Sequence, residues 1–309
     1  MSRRLLAVLL TIAAPAGLSA RELTSTYVVT AAANKVGVAG TDWHSDLTLY
    51  NPQSVALPVV LQFLPTGRSN SGSVPTVTFD IGPWETLNLW DVLGPNGFNA
   101  RGSTGALLIY ADDEKVTCAG ASCDFAVFCR TYTLNPGGGA GEFGQSVPGF
   151  PANLGLDYSV IAYLPQLSDD SEFRTNLGVA SWTDAMVRVR VDLQDTAGNI
   201  IDSRDHWVPP YGHIQWRLER SVTGGTAAVY VVDGPDESVV YPYASVVNWA
   251  TGDGVDIEAH LTTVGLPAQG VAVSAARAAP RPRPGATPVP GFSLSALARR
   301  VVTAPAAAR

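Results

Sequence analysis

The chain says nearly the same thing twice, and a repeat of this length constrains the fold more than any single motif. Trp43-His-Ser-Asp-Leu47 opens one series of extended segments, and Phe173-Arg-Thr-Asn-Leu177 opens a second in the same order. Val59–Leu64 corresponds to Val187–Asp192, and Ile81–Leu89 to Val208–Trp216. Ala106–Asp112 corresponds to Ala227–Asp233, and Phe125–Tyr132 to Val240–Val247. The offset falls from 130 at Trp43 and Phe173 to 115 at Phe128 and Tyr243, so the first copy carries extra residues. Those extras sit around Arg68–Ser73 and Lys115–Cys123, which reads as loop insertion at the surface.

The segments are short, β-branched and separated by Gly and Pro, and no long helical period runs between residues 21 and 265. Val187-Arg-Val-Arg-Val-Asp192 alternates apolar and charged residues, the period of a half-buried strand. Asp195-Thr-Ala-Gly-Asn199 then supplies a hairpin turn. The fold class that follows is all-β: two tandem antiparallel β-sandwich domains from an internal duplication, with a disordered C-terminal tail. The expected boundaries are 1–20 for a signal peptide, 21–155 for the first repeat, 156–265 for the second and 266–309 for the tail.

Arg3 and Arg4 precede an apolar run, Leu5–Ala14, that is too short to span a membrane as a mature helix. Cleavage after Ala20 fits best, with Ala16 as the second choice, and the expected location is secreted, periplasmic or cell-surface. No later stretch reads as a transmembrane segment. Charge is segregated: the 27 acids all lie between residues 21 and 265 against 12 bases, whereas the tail carries six Arg and no acid. An acidic body argues against nucleic acid as a partner. The Pro/Ala/Arg composition of the tail cannot bury enough apolar surface to offset the cost of ordering it.

Three cysteines are present, and export implies oxidising conditions. Cys118 and Cys123 flank a short Gly-containing loop and are expected to form a disulfide. Cys129 stands where the second copy has Ala244, as a small buried residue would. No catalytic, cofactor-binding or metal-binding constellation emerges. His206 and His213 bracket the Pro209-Pro210 turn, and an enzyme would need them to converge with a carboxylate in one pocket. Acidic turns at Asp112–Glu114, Asp169–Glu172, Asp233–Glu237 and Asp253–Asp256 read as solvated, with calcium as an alternative. The seven Trp recur partly between copies: Trp84 answers to Tyr211, Trp216 to Leu89 and Trp43 to Phe173. Such recurrence reads as core rather than as a sugar-stacking platform.

Trp43-His-Ser-Asp-Leu-Thr-Leu-Tyr-Asn-Pro52, Phe173–Leu177 and Tyr243–Asp253 resemble a repeat of uncharacterised exported bacterial proteins. Phe143-Gly-Gln-Ser-Val-Pro148 resembles the link that follows a unit in that group. The resemblance spans about residues 27–258 and implies loosely immunoglobulin-like sandwiches without catalytic residues. The function expected on these grounds is a secreted, non-catalytic interaction or cell-surface structural protein, not an enzyme, with an unknown protein or glycan as partner. The alternative is a carbohydrate-binding module protein.

Overall fold

A computed structural model describes residues 23–118, 122–263 and 283–298. The expected signal peptide lies outside the described residues, as do residues 266–282 and 299–309 of the expected tail.

The first half contributes β1 (Thr26–Val36), β2 (Asp42–Tyr50), β3 (Leu57–Pro65), β4 (Ser73–Ile81), β5 (Thr86–Leu89), β6 (Ser103–Ala111), β7 (Ala126–Leu134) and β8 (Glu142–Pro151). The second contributes β9 (Val160–Asp169), β10 (Phe173–Ser181), β11 (Val187–Gln194), β12 (Ile200–Val208), β13 (His213–Arg217), β14 (Val222–Asp233), β15 (Val240–Asn248), β16 (Gly254–Glu258) and β17 (His260–Thr263). A last strand, β18 (Gly285–Pro288), precedes one helical turn, α1 (Leu294–Leu297).

Both halves use one strand order. The second has a sheet β13-β10-β15-β16 and a sheet β12-β11-β14-β9-β17. The first contains the corresponding runs β5-β2-β7-β8 and β4-β3-β6-β1. There they join into one folded-over sheet, because β8 pairs with β7 through its first residues and with β1 through its last. Hydrogen bonds recur at matching positions. Asn51 N donates to Glu85 O and Trp84 N to Gln53 O; Ser181 N donates to Gly212 O and Tyr211 N to Thr183 O. Trp84 and Tyr211 also share a positive φ, 58° and 43°, in turns that each close from the fourth residue back to the first.

Each half has its own apolar core. Leu47, Leu61, Leu89, Ile109 and Cys129 belong to the first, and Leu164, Leu177, Val189, Val229 and Ala244 to the second. A third cluster joins the halves. Val28, Val60, Leu64, Leu108 and Phe150 meet Trp182, Tyr211, Val239 and Tyr241. This explains a difference between equivalent strands. β3 is buried along nearly its whole length, because one face meets the first core and the other meets the second half. Its counterpart β11 alternates buried Val with solvent-facing Arg and Asp.

Four expectations need correction. Phe143–Pro148 is not a link but part of β8, a full strand whose counterpart is β16 with β17. The Arg68–Ser73 insertion is not a free surface loop, because Asn70 is buried and fastens the halves. Its N donates to Pro210 O and its Nδ2 to Tyr211 O, at 2.8 and 2.9 Å. Trp84 is not core: it is 62 % exposed, whereas the equivalent Tyr211 is 4 % exposed, because the first half covers only the Tyr211 turn. Finally, residues 283–298 of the tail are ordered. β18 adds in parallel to the edge strand β4, Phe292 packs on Phe79 and Phe98, and Leu297 enters the first core. The composition argument failed there because these few apolar groups pack on a core supplied by the first half.

Candidate functional site: the cleft between the halves

Between the two halves lies a cleft of about 500 Å³. That falls within the roughly 300–1,000 Å³ usual for small-ligand sites. One wall is the end of the β1–β2 hairpin, with Lys35, Gly37 and Trp43; the other is the outer face of β10 and β13, with Arg174, Asn176, Gln215 and Arg217. Thr131, Gln145 and Ser245 close one side, and Thr66, His213 and Tyr243 lie at the floor.

Strand periodicity aims these groups. In β10, Leu177 and Val179 face the second core, so Arg174 and Asn176 fall on the opposite face. In β13, Ile214 and Trp216 pack on that core, which sends His213, Gln215 and Arg217 outward. A Cβ at Gly37 would lie 2.7 Å from the Trp43 indole nitrogen, so glycine makes room for that ring at the mouth. A Cβ at Gly178 would lie 2.3 Å from the Tyr243 ring, so glycine lets that ring lie flat on β10.

The floor is a closed polar chain. His213 Nδ1 lies 2.7 Å from Thr66 Oγ1, and Nε2 lies 2.8 Å from Tyr243 Oη. Burial pushes the His213 pKa down to about 3, with the Thr30 backbone opposing, so the imidazole is neutral near pH 7. Burial likewise pushes the Tyr243 hydroxyl up. With both ring nitrogens engaged, His213 positions Tyr243 and ties β13 to the first half. It is not placed to act as a general base.

The walls are cationic. The lining contains Lys35, Arg174 and Arg217 and no acidic residue, in a chain whose net charge is −7. Arg217 is neutralised from behind: its Nη2 and Nε donate to Asp169 at 2.7 and 3.1 Å, which raises the Arg217 pKa. Arg174 has no such hydrogen-bonded acid, although the Asp169 charge also acts on it and opposes the lowering of its pKa. It is 6 % exposed, its Nη1 is buried without a hydrogen bond, and burial, then the Arg217 charge, lower its pKa. Trp249 holds both guanidinium groups, 5.1 and 4.9 Å from the ring centroid.

The other expected residues are dispersed. His206 stacks on Trp216 at 3.8 Å, on the far side of β13 from His213, so the two histidines do not converge. Cys118 and Cys123 are disulfide-bonded, and burial pushes the Cys129 thiol up. In the acidic turn at Asp169–Glu172, Asp170 accepts from Glu172 and Phe173 N–H, as Asp195 of the hairpin turn accepts from Ala197 and Asn199 N–H. Among the described residues, no group of three His, Cys, Asp or Glu is placed to hold a metal ion. Among the same residues, no helix is long and apolar enough to cross a membrane. Trp84 and Trp207 are exposed, but they stand on different halves, and Arg188 lies over Trp207. Sequence reasoning missed the cleft, because its walls come from strands about 130 residues apart.

No protein-family model matches the chain. No curated protein matches it. A solved structure, a candidate secreted protein of Parabacteroides distasonis, is similar at 12 % identity over 81 % of this chain and 86 % of that one. Its TM-score is 0.19, so that likeness carries no argument about function.

Proposed function

We propose that this is an exported, non-catalytic binding protein that takes a small polar ligand into the cleft between two sandwiches derived by duplication. The observation that carries this is the cleft itself, of ligand size and lined by amides, hydroxyls and cations held on rigid strands. Export is supported by the signal-like N-terminus and by the Cys118–Cys123 disulfide. Binding without turnover is supported by the state of His213, neutral and with both nitrogens occupied. A loosely immunoglobulin-like unit at the cell surface accords with the recurring strand order.

The test is a calorimetric screen of the full chain against neutral and acidic oligosaccharides and small carboxylates. The reading expects one stoichiometric site, unchanged ligand after long incubation, and loss of binding in Asn176→Trp and Gln215→Trp, which fill the cleft from two neighbouring strands of one wall. Equal binding by both filled variants, or conversion of the ligand, would overturn it.

A further inference from the structure

Resting on that reading, we infer that the cleft is specific for a carboxylate-bearing carbohydrate, with Arg174 as the group that pairs its carboxylate. Three features converge. First, the lining carries three bases and no acid, although the chain as a whole is acidic. A low-dielectric cleft of one sign focuses the field on an anion of opposite sign. Second, Arg174 is buried with an unpartnered Nη1 and lines the cleft. A buried guanidinium with an unused hydrogen-bonding position is costly, and its planar fork matches a carboxylate in two-point geometry. Its neighbour Arg217 spends its hydrogen bonds on Asp169, whereas Arg174 feels that charge without a bond to it, which leaves Arg174 as the receptor.

Third, the remaining walls suit a sugar better than a bare anion. Asn176, Gln215 and Gln145 offer amides that both donate and accept, as ring hydroxyls require. Trp43 supplies an aromatic surface at the mouth. Gln145 is oriented by Ser245, whose hydroxyl donates to its Oε1 at 2.7 Å, a bond that does not use its Nε2 donors. Trp249, stacked against Arg174 and Arg217, fixes the receptor before binding.

The test is isothermal titration of the full chain with galacturonate oligomers, neutral galactose oligomers of equal length, sulfated galactose oligomers, and acetate alone. The expected result is at least tenfold tighter binding of the galacturonate oligomer than of either sugar comparator. Arg174→Gln should abolish that preference. Arg174→Lys should restore part of it, and the preference should shrink as salt rises. The melting temperature of Arg174→Gln without ligand should be no lower than that of the parent, which separates loss of recognition from loss of fold. Equal binding of acidic and neutral oligomers, preference for the sulfated oligomer, or a preference that survives Arg174→Gln would overturn the inference. In each of those cases binding that Asn176→Trp blocks would leave the cleft reading standing; no binding by any oligomer would overturn the inference, and no binding in the wider screen would remove both.

Discussion

Two histidines should respond to pH in opposite directions. His213 has a folded pKa of about 3, below the value near 6.5 expected in the unfolded chain. The unfolded state therefore takes up a proton that the folded state refuses. The His213 contribution is complete above about pH 6.5 and falls as pH drops toward 3, by up to about 1.4 kcal/mol per pH unit. His44 lies between Asp91 at 3.1 Å and Asp42 at 3.5 Å, and the hydrogen bond to Asp91 raises its pKa above the ordinary value. Its contribution is complete below about pH 6.5 and is lost as pH rises through the raised folded pKa. Melting curves from pH 4 to 9 test both. His213→Gln should flatten the acid limb relative to the parent, and His44→Gln the limb above pH 6.5. Parallel curves for parent and variants would contradict the assignment. Of these residues, only the Cys118–Cys123 pairing and the small core thiol of Cys129 were legible from the sequence, because spacing and repeat position decide them locally. Arg174 was not, since Phe173-Arg-Thr-Asn176 reads as a strand start with a solvent-facing base. Its guanidinium is covered by Trp249, far on in the sequence.

At the scale of elements, apolar periodicity carried most of the information. The largely apolar run in β3, broken by Gln62, and the alternation in β11 distinguish two strands of equivalent position by what covers them. β1 and β9 escaped notice because their sequences share no pattern and both are bulged against β6 and β14. The ordered end of the tail was illegible for a related reason: four apolar side chains in a Pro-rich segment gain their stability only from the groove they enter. Gln62 Nε2 donates to Pro284 O at 3.2 Å, Leu297 O accepts from Trp90 N at 3.1 Å, and Arg283 stacks on Tyr110 at 3.6 Å. Leu297 is 2 % exposed, so Leu297→Ala should cost about 2–4 kcal/mol in urea unfolding. The exposed Ser295→Ala should stay within about 0.5 kcal/mol of the parent. Equal stability of Leu297→Ala and the parent would show that the segment is not part of the first core.

At the scale of the whole molecule, the halves are fixed on both flanks of the cleft. Tyr211, Tyr241 and Phe150 meet on one flank; on the other, Gln145 bonds Ser245, and a Cβ at Gly252 would lie 2.8 Å from Thr41. Such a joint makes the cleft a rigid feature rather than a hinge, and ties the unfolding of one half to the other. Calorimetry should show a single transition for the parent and two for the double variant Tyr211→Ala, Asn70→Ala, which removes the clasp without touching either core. A single transition in both would mean that the apolar contact contributes little coupling. The central claim is that this preformed cleft, and no sandwich face, is where the chain meets its ligand. A crystal structure of the full chain with a galacturonate oligomer tests that most directly. The account predicts a sugar in the cleft with its carboxylate against Arg174 and its ring near Trp43. An oligomer seated on Trp84 or Trp207, with the cleft empty, would contradict it.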